Sequence, residues 1–279
     1  GFHYDGDPWD LYIYRARVTK ALPIASVLTI AATGSEMNGN SVITNMETKQ
    51  KHGIGSPLLT PQFSALDPEF TFSVPRNQTA NGIADIMSHV FEQYFSPTCD
   101  TYIQDRLCEA ILKTCREFGE LAVEEPTNYN ARAQLMWAGT LALNGLLAAG
   151  KGGDWATHQI EHSVSAFYDI AHGAGLAILT PHWMERVLDE DNAFRFAAMA
   201  RTVFGVEKDD DREAAKQGIN ELAWFWESLG LPTRLSALGI SEESLPEMAK
   251  DATDAPGGIT GQLKKLGFDD VLAIYRAAY

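Results

Sequence analysis

Four of the seven histidines, together with one aspartate, are spaced as a metal site would require. Asp85 and His89 are four residues apart, and His158 and His162 repeat that spacing, so each pair would leave one face of a helix. His172 follows later and precedes a glycine. Imidazole and carboxylate hold Zn²⁺ or Fe²⁺, and three or four such ligands with one open position make a catalytic site. The spacing therefore favours a metal centre between helices.

Each part of this pattern also has an ordinary explanation. An Asp-x-x-x-His pair is usually a local hydrogen bond, and His-Gly is common where a helix begins. Residues 158–162 also match the His-x-x-Glu-His pattern of inverted zinc proteases, in which Glu161 would be the base that activates water. A metallohydrolase of that type would leave Asp85, His89 and His172 unexplained, and it stays the less favoured alternative.

The segments that must position these residues fall into two parts. Before residue 75, short β-branched runs and turn signals predict strands at 26–30, 41–44 and 63–66. After it, helical periodicity predicts helices at 81–95, 100–120, 130–149, through 158–162, at 173–187, from about 209 to 229, after a cap at Ser241, and at 268–278. The helix at 130–149 is nearly all apolar or small, so we expect it to be central and buried. The pattern predicts an α/β segment followed by an all-helical domain.

Composition and charge exclude several classes of protein. The 279 residues are 45% apolar and 21% charged, as in an ordinary globular protein. The net charge of −15 opposes binding to nucleic acid and to anionic membranes. The sequence has no apolar run long enough to span a membrane and begins with no signal-peptide pattern. Three cysteines without metal-finger spacing favour free thiols in a reducing cytoplasm.

Several motifs, in order along the chain, resemble those of the iron-containing (group III) alcohol dehydrogenases. They are Ala-Thr-Gly-Ser-Glu at 32–36, Leu-Asp-Pro at 66–68, Asn-Gly-Ile-Ala-Asp at 81–85, Glu-Gln-Tyr at 92–94, Gly-Asp-Trp-Ala-Thr-His at 153–158 and Ala-His-Gly at 171–173. The resemblance runs from about residue 21 to the C-terminus. It is greatest to the branch of butanol dehydrogenases and broad-range aldehyde reductases.

This resemblance implies a fold similar to that of dehydroquinate synthase. Residues 1–75 would be the C-terminal part of a Rossmann-like, cofactor-binding α/β domain, and residues 76–279 a helical metal-binding domain. The resemblance implies that the metal ligands are Asp85, His89, His158 and His172. His162 would line the site near the nicotinamide, where it is the candidate proton relay. Packing against the cofactor or behind a ligand, without a part in proton transfer, is the alternative for His162. Five residues match positions that contact or lie near the dinucleotide: Thr29, Thr33, Ser35, Lys51 and Leu66.

The implied activity is hydride transfer between a nicotinamide cofactor and a short-chain alcohol or aldehyde. The metal, Fe²⁺ or Zn²⁺, would act as a Lewis acid towards the substrate oxygen. By the same resemblance we expect NADP(H) rather than NAD(H), and a homodimer.

One departure from the family concerns the front of the chain. Family members have a further segment ahead of this start, which includes the Gly-Gly-Gly-Ser turn that grips the pyrophosphate, and the sequence here also begins without Met. A metal-binding fragment without activity therefore stays an alternative. A lyase of the dehydroquinate synthase type would share the fold, but its sugar-phosphate substrate needs a basic pocket that this acidic sequence does not reveal.

Overall fold

The computed structural model describes residues 2–254 and 260–279. In this part of the chain, all of the strands come before residue 66 and all of the long helices after residue 75. The structure is therefore mostly helical with two small sheets. None of the described helices is both long and apolar enough to cross a membrane.

The front of the molecule, residues 2–75, contains a short helix and two pairs of strands. The elements are α1 Trp9–Tyr12, β1 Ala25–Val27, β2 Asn40–Asn45, β3 Gln50–Gly55 and β4 Phe63–Ala65. Strand β1 pairs in parallel with β4, and β2 pairs with β3 in an antiparallel hairpin. The strand predicted at 26–30 is shorter than expected, and β3 was not predicted, because its polar residues and two glycines lack the β-branched pattern.

Nine helices follow in the described part of the chain. They are α2 Arg76–Tyr94, α3 Tyr102–Glu124, α4 Tyr129–Leu143, α5 Ala156–Tyr168, α6 His172–Val187, α7 Ala193–Phe204, α8 Asp211–Ser228, α9 Leu245–Thr253 and α10 Phe268–Ala277. Short 3₁₀ turns lie at Pro57–Leu59, Pro68–Thr71, Leu235–Leu238 and Glu242–Ser244.

Helix α2 lies at the centre of this helical part. It packs against α3, α4 and α6, while α5 packs on α6, α9 and strand β3. Most residues of α2 from Thr79 to Tyr94 are buried, so polar side chains on this helix lie inside the protein. The core around it includes large side chains such as Trp183, Trp226 and Phe196. A buried polar group in such a core needs a partner, and this makes the polar residues of α2 informative.

Four details of the helical prediction were wrong. The helix predicted at 130–149 ends at Leu143, because Asn144 accepts a hydrogen bond from the Leu146 N–H and Gly145 takes a positive φ of 93°. This helix is not wholly buried either, since Trp137 is 51% exposed. Helix α7 was not predicted. Ser241 caps the 3₁₀ turn ahead of α9 rather than α9 itself.

Candidate metal centre

Three helices bring the predicted ligand residues to one buried place. Helix α2 contributes Asp85 and His89, α5 contributes His158, and α6 begins with His172. One side-chain ligand atom from each of Asp85, His158 and His172 lies within 4.8 Å of the others. Asp85 Oδ1 lies 3.6 Å from His89 Nδ1 and 3.7 Å from His172 Nε2, and the rings of His89 and His158 are 4.6 Å apart. All four predicted ligands therefore converge.

A glycine allows the start of α6 to approach α2 closely. A Cβ atom at Gly173 would lie 2.1 Å from the backbone oxygen of Asn81, one turn ahead of Asp85. Helix α5 ends just before, at Tyr168, and the next residue, Asp169, has a left-handed backbone (φ 50°) that reverses the chain. The short link and this close approach place His172 beside Asp85.

The start of α5 is held by acidic residues rather than by its own capping residue. Trp155, at the N-cap, has a φ of 61° and its side chain caps nothing. Asp154 accepts hydrogen bonds from the backbone N–H groups of Ala156, Gln262 and Leu263, which ties this turn to the loop ahead of α10. The Gly-Asp-Trp-Ala-Thr-His motif is thus a tight turn that positions His158, and the Trp155 ring lies 5.5 Å from the His158 ring.

The donor atoms at this cluster fit a divalent cation. Asp85 Oδ1, His89 Nδ1 and His158 Nε2 are buried and have no hydrogen-bond partner among the described residues. Burial lowers the pKa of His89 to about 4 and that of His158 to about 3, so both imidazoles are neutral at pH 7. Neutral imidazole and carboxylate are the forms that bind metal. Buried polar atoms without partners are costly, and a cation would satisfy them.

Two glutamates face the far sides of two of these histidines. Glu92 Oε1 is 2.9 Å from His158 Nδ1, and Glu161 Oε2 is hydrogen-bonded to His172 Nδ1. Burial raises the pKa of Glu92 to about 7, although a cation in the cluster would act in the opposite direction. Burial would raise the pKa of Glu161, but the charge and hydrogen bond of His172 and the charges of Lys51 and His162 together lower it. Burial would lower the pKa of His172, but the charge and hydrogen bond of Glu161 raise it.

The arrangement does not match a hydrolase that would use both histidines of the His-x-x-Glu-His pattern for one ion. His158 groups with Asp85 and His172, whereas His162 groups with Glu161 and His172. Glu161 is fully buried, and its two oxygens contact Ser165 and His172. It is therefore not free to act as a general base on water.

The residues predicted to contact a dinucleotide lie in two places. Thr29, Thr33 and Ser35 are exposed on the loop after β1, and Leu66 directly follows β4, the parallel neighbour of β1. Ser35 lines a cavity of about 670 Å³ in the front of the molecule. Lys51 is apart from these, on β3, with Nζ 3.5 Å from both Glu161 Oε2 and His172 Nδ1.

His162 lies at the edge of the cluster. It is half-buried, with its ring centroid 5.6 Å from that of His172, and burial holds its pKa well below the usual value. Neither the role of Glu92 nor the contact of Lys51 with Glu161 and His172 was predicted from the sequence. The signal for Glu92 was available, because it follows Asp85 by seven residues and His89 by three and so shares their helix face.

Two family models match the chain. The C-terminal model of the Fe-containing alcohol dehydrogenase family matches residues 79–279, and the model of iron-containing alcohol dehydrogenases matches residues 2–68. Together they include every residue predicted for the site.

Named relatives and solved structures agree with these models. The chain is 49% identical over 280 residues to NADH-dependent butanol dehydrogenase A of Clostridium acetobutylicum. This match covers all of this chain and 72% of that protein. It is 37% identical to the NADPH-dependent aldehyde reductase YqhD of Escherichia coli, over 98% of this chain and 70% of that protein. Among crystal structures, NADH-dependent butanol dehydrogenase A from Thermotoga maritima superposes with a TM-score of 0.94 at 41% identity, over 99% of this chain and 71% of that one.

Proposed function

This chain belongs to the iron-containing alcohol dehydrogenase family of oxidoreductases, and we propose that its enzyme transfers hydride between a nicotinamide cofactor and a short-chain alcohol or aldehyde. The observation that supports this most is that Asp85, His158 and His172 converge, with His89 beside them. One ligand atom each of Asp85, His89 and His158 is buried without a hydrogen-bond partner among the described residues. We assign these four side chains as the ligands of one Fe²⁺ or Zn²⁺ ion, because three imidazoles and one carboxylate suit either metal.

The chain's own residues would orient the substrate and handle a proton. The bound metal would supply a Lewis acid for the substrate oxygen, and the nicotinamide would supply or accept the hydride. The Trp155 ring beside His89 and His158 walls one side of the cluster. We assign His162, which is half-buried with its ring centroid 5.6 Å from that of His172, as the proton relay near the nicotinamide.

The cofactor is proposed to lie along the carboxyl ends of β1 and β4. Parallel strands present their following loops at one edge, where ligands of α/β folds bind, and Thr29, Thr33, Ser35 and Leu66 lie in those loops. Lys51 would reach the cofactor from the hairpin beside the metal cluster. We expected NADP(H) from the sequence, but the relatives at 49–50% identity are named for NADH and the one at 37% for NADPH, so we now propose NADH.

The architecture implied is a two-domain fold like that of dehydroquinate synthase. We assign residues 1–75 to the C-terminal part of the cofactor domain and residues 76–279 to the metal domain, which is supported by the division of strands and helices. The free cysteines at 99, 108 and 115 support a reducing compartment such as the cytoplasm. The homodimer is part of the proposal, and sedimentation equilibrium would test it.

The test is metal content and turnover of the full-length protein. We expect one equivalent of iron or zinc by elemental analysis, and oxidation of NADH faster than of NADPH with butanal. His158→Ala should abolish bound metal and turnover together. His182→Ala, on the same helix as His172 but ten residues further along, about 15 Å by helical rise, should keep both. Retention of metal and turnover by His158→Ala would contradict the ligand assignment.

A further inference from the structure

Glu92 is a buried glutamate that the proposed ligand set does not include. It lies on α2, on the same face as Asp85 and His89, and is 1% exposed. A buried carboxylate is costly unless it is hydrogen-bonded, so its contacts indicate what it does there.

Both hydrogen bonds of Glu92 Oε1 go to a single residue of another helix. The backbone N–H of His158 donates to Oε1 over 2.9 Å, and His158 Nδ1 lies 2.9 Å from the same oxygen. Oε1 already accepts the backbone N–H of His158 and so acts as an acceptor, which places the His158 ring proton on Nδ1. Nε2 then carries no proton and has a lone pair available to a metal. It is buried without a hydrogen-bond partner among the described residues.

The same contact supplies a cap that α5 does not make for itself. Trp155 at the N-cap makes no side-chain bond, and the first turn of α5 contains no acidic residue. A carboxylate near a helix N-terminus satisfies free N–H groups and interacts favourably with the helix dipole. Glu92 provides this from α2, and Asp154 N donates to the Glu92 backbone oxygen over 2.7 Å. The two helices that supply three of the proposed ligands are thus joined at this one residue.

We propose that Glu92 is a positioning residue that fixes the tautomer and orientation of His158, and that the affinity of the site for its metal depends on it. This rests on the proposed function, because it takes His158 as a ligand. A carboxylate behind a ligating histidine raises the basicity of the ring and fixes its direction, and loss of such a partner costs about 10–100-fold in metal affinity.

The experiment compares Glu92→Gln and Glu92→Ala with the control Glu109→Gln in the full-length protein. Glu109 is also buried, but on α3, where it bonds Tyr94 and Arg106 rather than a proposed ligand. Affinity of the metal-free protein for Zn²⁺ is measured by calorimetry, thermal stability by circular dichroism, and the His158 tautomer by nitrogen-15 NMR.

We expect Glu92→Gln to bind Zn²⁺ about 10–100-fold more weakly than wild type, because an uncharged amide oxygen raises the basicity of the His158 ring less than a carboxylate does. Its melting temperature should change little, because the amide oxygen can still accept both hydrogen bonds of His158. Glu92→Ala should lose both affinity and stability. Glu109→Gln should bind Zn²⁺ like wild type. In the metal-free wild type, His158 should carry its proton on Nδ1.

The outcomes separate this proposal from the proposed function. If wild type binds Zn²⁺ and both Glu92→Gln and Glu92→Ala bind it equally well, Glu92 only caps α5 and the positioning role is wrong. If His158 of the metal-free wild type carries its proton on Nε2, the role is wrong whether or not the variants fold. If wild type binds neither Zn²⁺ nor Fe²⁺, the proposed function and the positioning role both fail.

Discussion

The front segment (residues 2–75) and the helical region (residues 76–279) are stabilised in different ways. Among the described residues, the buried apolar side chains belong to the helical region with two exceptions, Leu11 and Pro68. The front segment instead exposes apolar side chains, with Phe63 70% and Val27 58% exposed on the small parallel sheet. Burial of apolar surface is the main source of stability. The helical region therefore contains its own core, whereas the front segment buries few apolar side chains.

This difference matches the division of chemistry that we propose. All four proposed metal ligands lie on helices around the core, where packing fixes their geometry. All five proposed cofactor contacts lie in the front segment. We call the contact surface between the front segment and the helical region the seam. Its contacts include the hydrogen bond between Thr140 and Glu36 and the ion pair of Lys51 with Glu161. We expect the metal site to survive changes that loosen the cofactor side.

The largest expected difference between the two regions is in the free energy of unfolding that is lost when a phenylalanine in each is replaced by alanine. Phe95 is fully buried and stacks on Phe196 with ring centroids 4.1 Å apart, whereas Phe63 is exposed. Phe95→Ala should lower the free energy of unfolding by about 3–5 kcal/mol through lost burial and a cavity. Phe63→Ala should change it by no more than about 0.5 kcal/mol. Urea denaturation of the two variants measures this, and equal losses would contradict the comparison.

The second prediction tests the seam where α2 meets the loop after β1. A Cβ atom at Gly82 would lie 2.3 Å from the backbone oxygen of Ala31, so Gly82→Ala must push the two segments apart. We expect a loss of about 1–3 kcal/mol in stability and weaker binding of nicotinamide cofactor, since the loop contains Thr29 and Thr33, with metal content unchanged.

Gly152→Ala is the control for this substitution, because no heavy atom lies within 4 Å of its added Cβ. It should leave stability, cofactor binding and metal content near those of wild type. If Gly82→Ala instead lost its metal while keeping cofactor affinity, the division of the two sites between the two regions would be wrong.

A smaller effect should come from the polar contact across the same seam. Thr140 Oγ1 donates to Glu36 Oε1, and the other oxygen of this buried glutamate has no hydrogen-bond partner among the described residues. Thr140→Val should therefore cost about 1–2 kcal/mol, because it leaves the carboxylate less satisfied. Thr114→Val is the control, since Thr114 bonds only the carbonyl one turn back in α3. Equal losses in the two variants would show that the bond to Glu36 adds nothing.

The sequence predicted most of the helices, and the helix faces of the candidate ligands, because both follow a strong periodic signal. Asp85 and His89 share a helix face by spacing alone, and the apolar stripe of α2 predicted that helix. The prediction placed its start at 81, five residues late, because Arg76, Asn77 and Gln78 are exposed and add nothing to the stripe. Convergence of α2, α5 and α6 could not be derived from spacing, since it depends on tertiary packing.

The rest could not be predicted because it depends on contacts distant in the chain. Glu92 and His158 are 66 residues apart, and Lys51 and His172 are 121 apart. Strand β3 forms despite a polar, glycine-containing sequence, because pairing with β2 and packing on α5 override its low intrinsic preference. A single sequence contains no signal for either kind of contact.

The smallest predicted effect on stability comes from an ion pair between α6 and α10, both in the helical region. Arg186, near the end of α6, donates from Nε to Asp270 Oδ1 at 3.0 Å in the first turn of α10. Burial would raise the pKa of Asp270, but the hydrogen bonds from Arg186 and from the Gly267 N–H, with the charges of Arg186 and Lys264, together lower it. A lowered folded-state pKa adds stability that is present above the unfolded pKa and is lost as the pH falls through the folded one.

Asp270→Asn should therefore lower the free energy of unfolding by about 0.2–1 kcal/mol at pH 7. The difference in stability between variant and wild type should shrink as the pH falls below the pKa of a free aspartate, near 4. The front segment offers the matched pair of Arg15 and Asp10, which are 4.0 Å apart with the Arg15 side chain 75% exposed. Arg15→Ala should have no measurable effect at any pH, because such a pair is screened by solvent. Urea denaturation from pH 3 to 8 compares the two variants. A loss in Asp270→Asn that stayed constant with pH would mean that helix packing, rather than the charge of Asp270, joins α6 to α10.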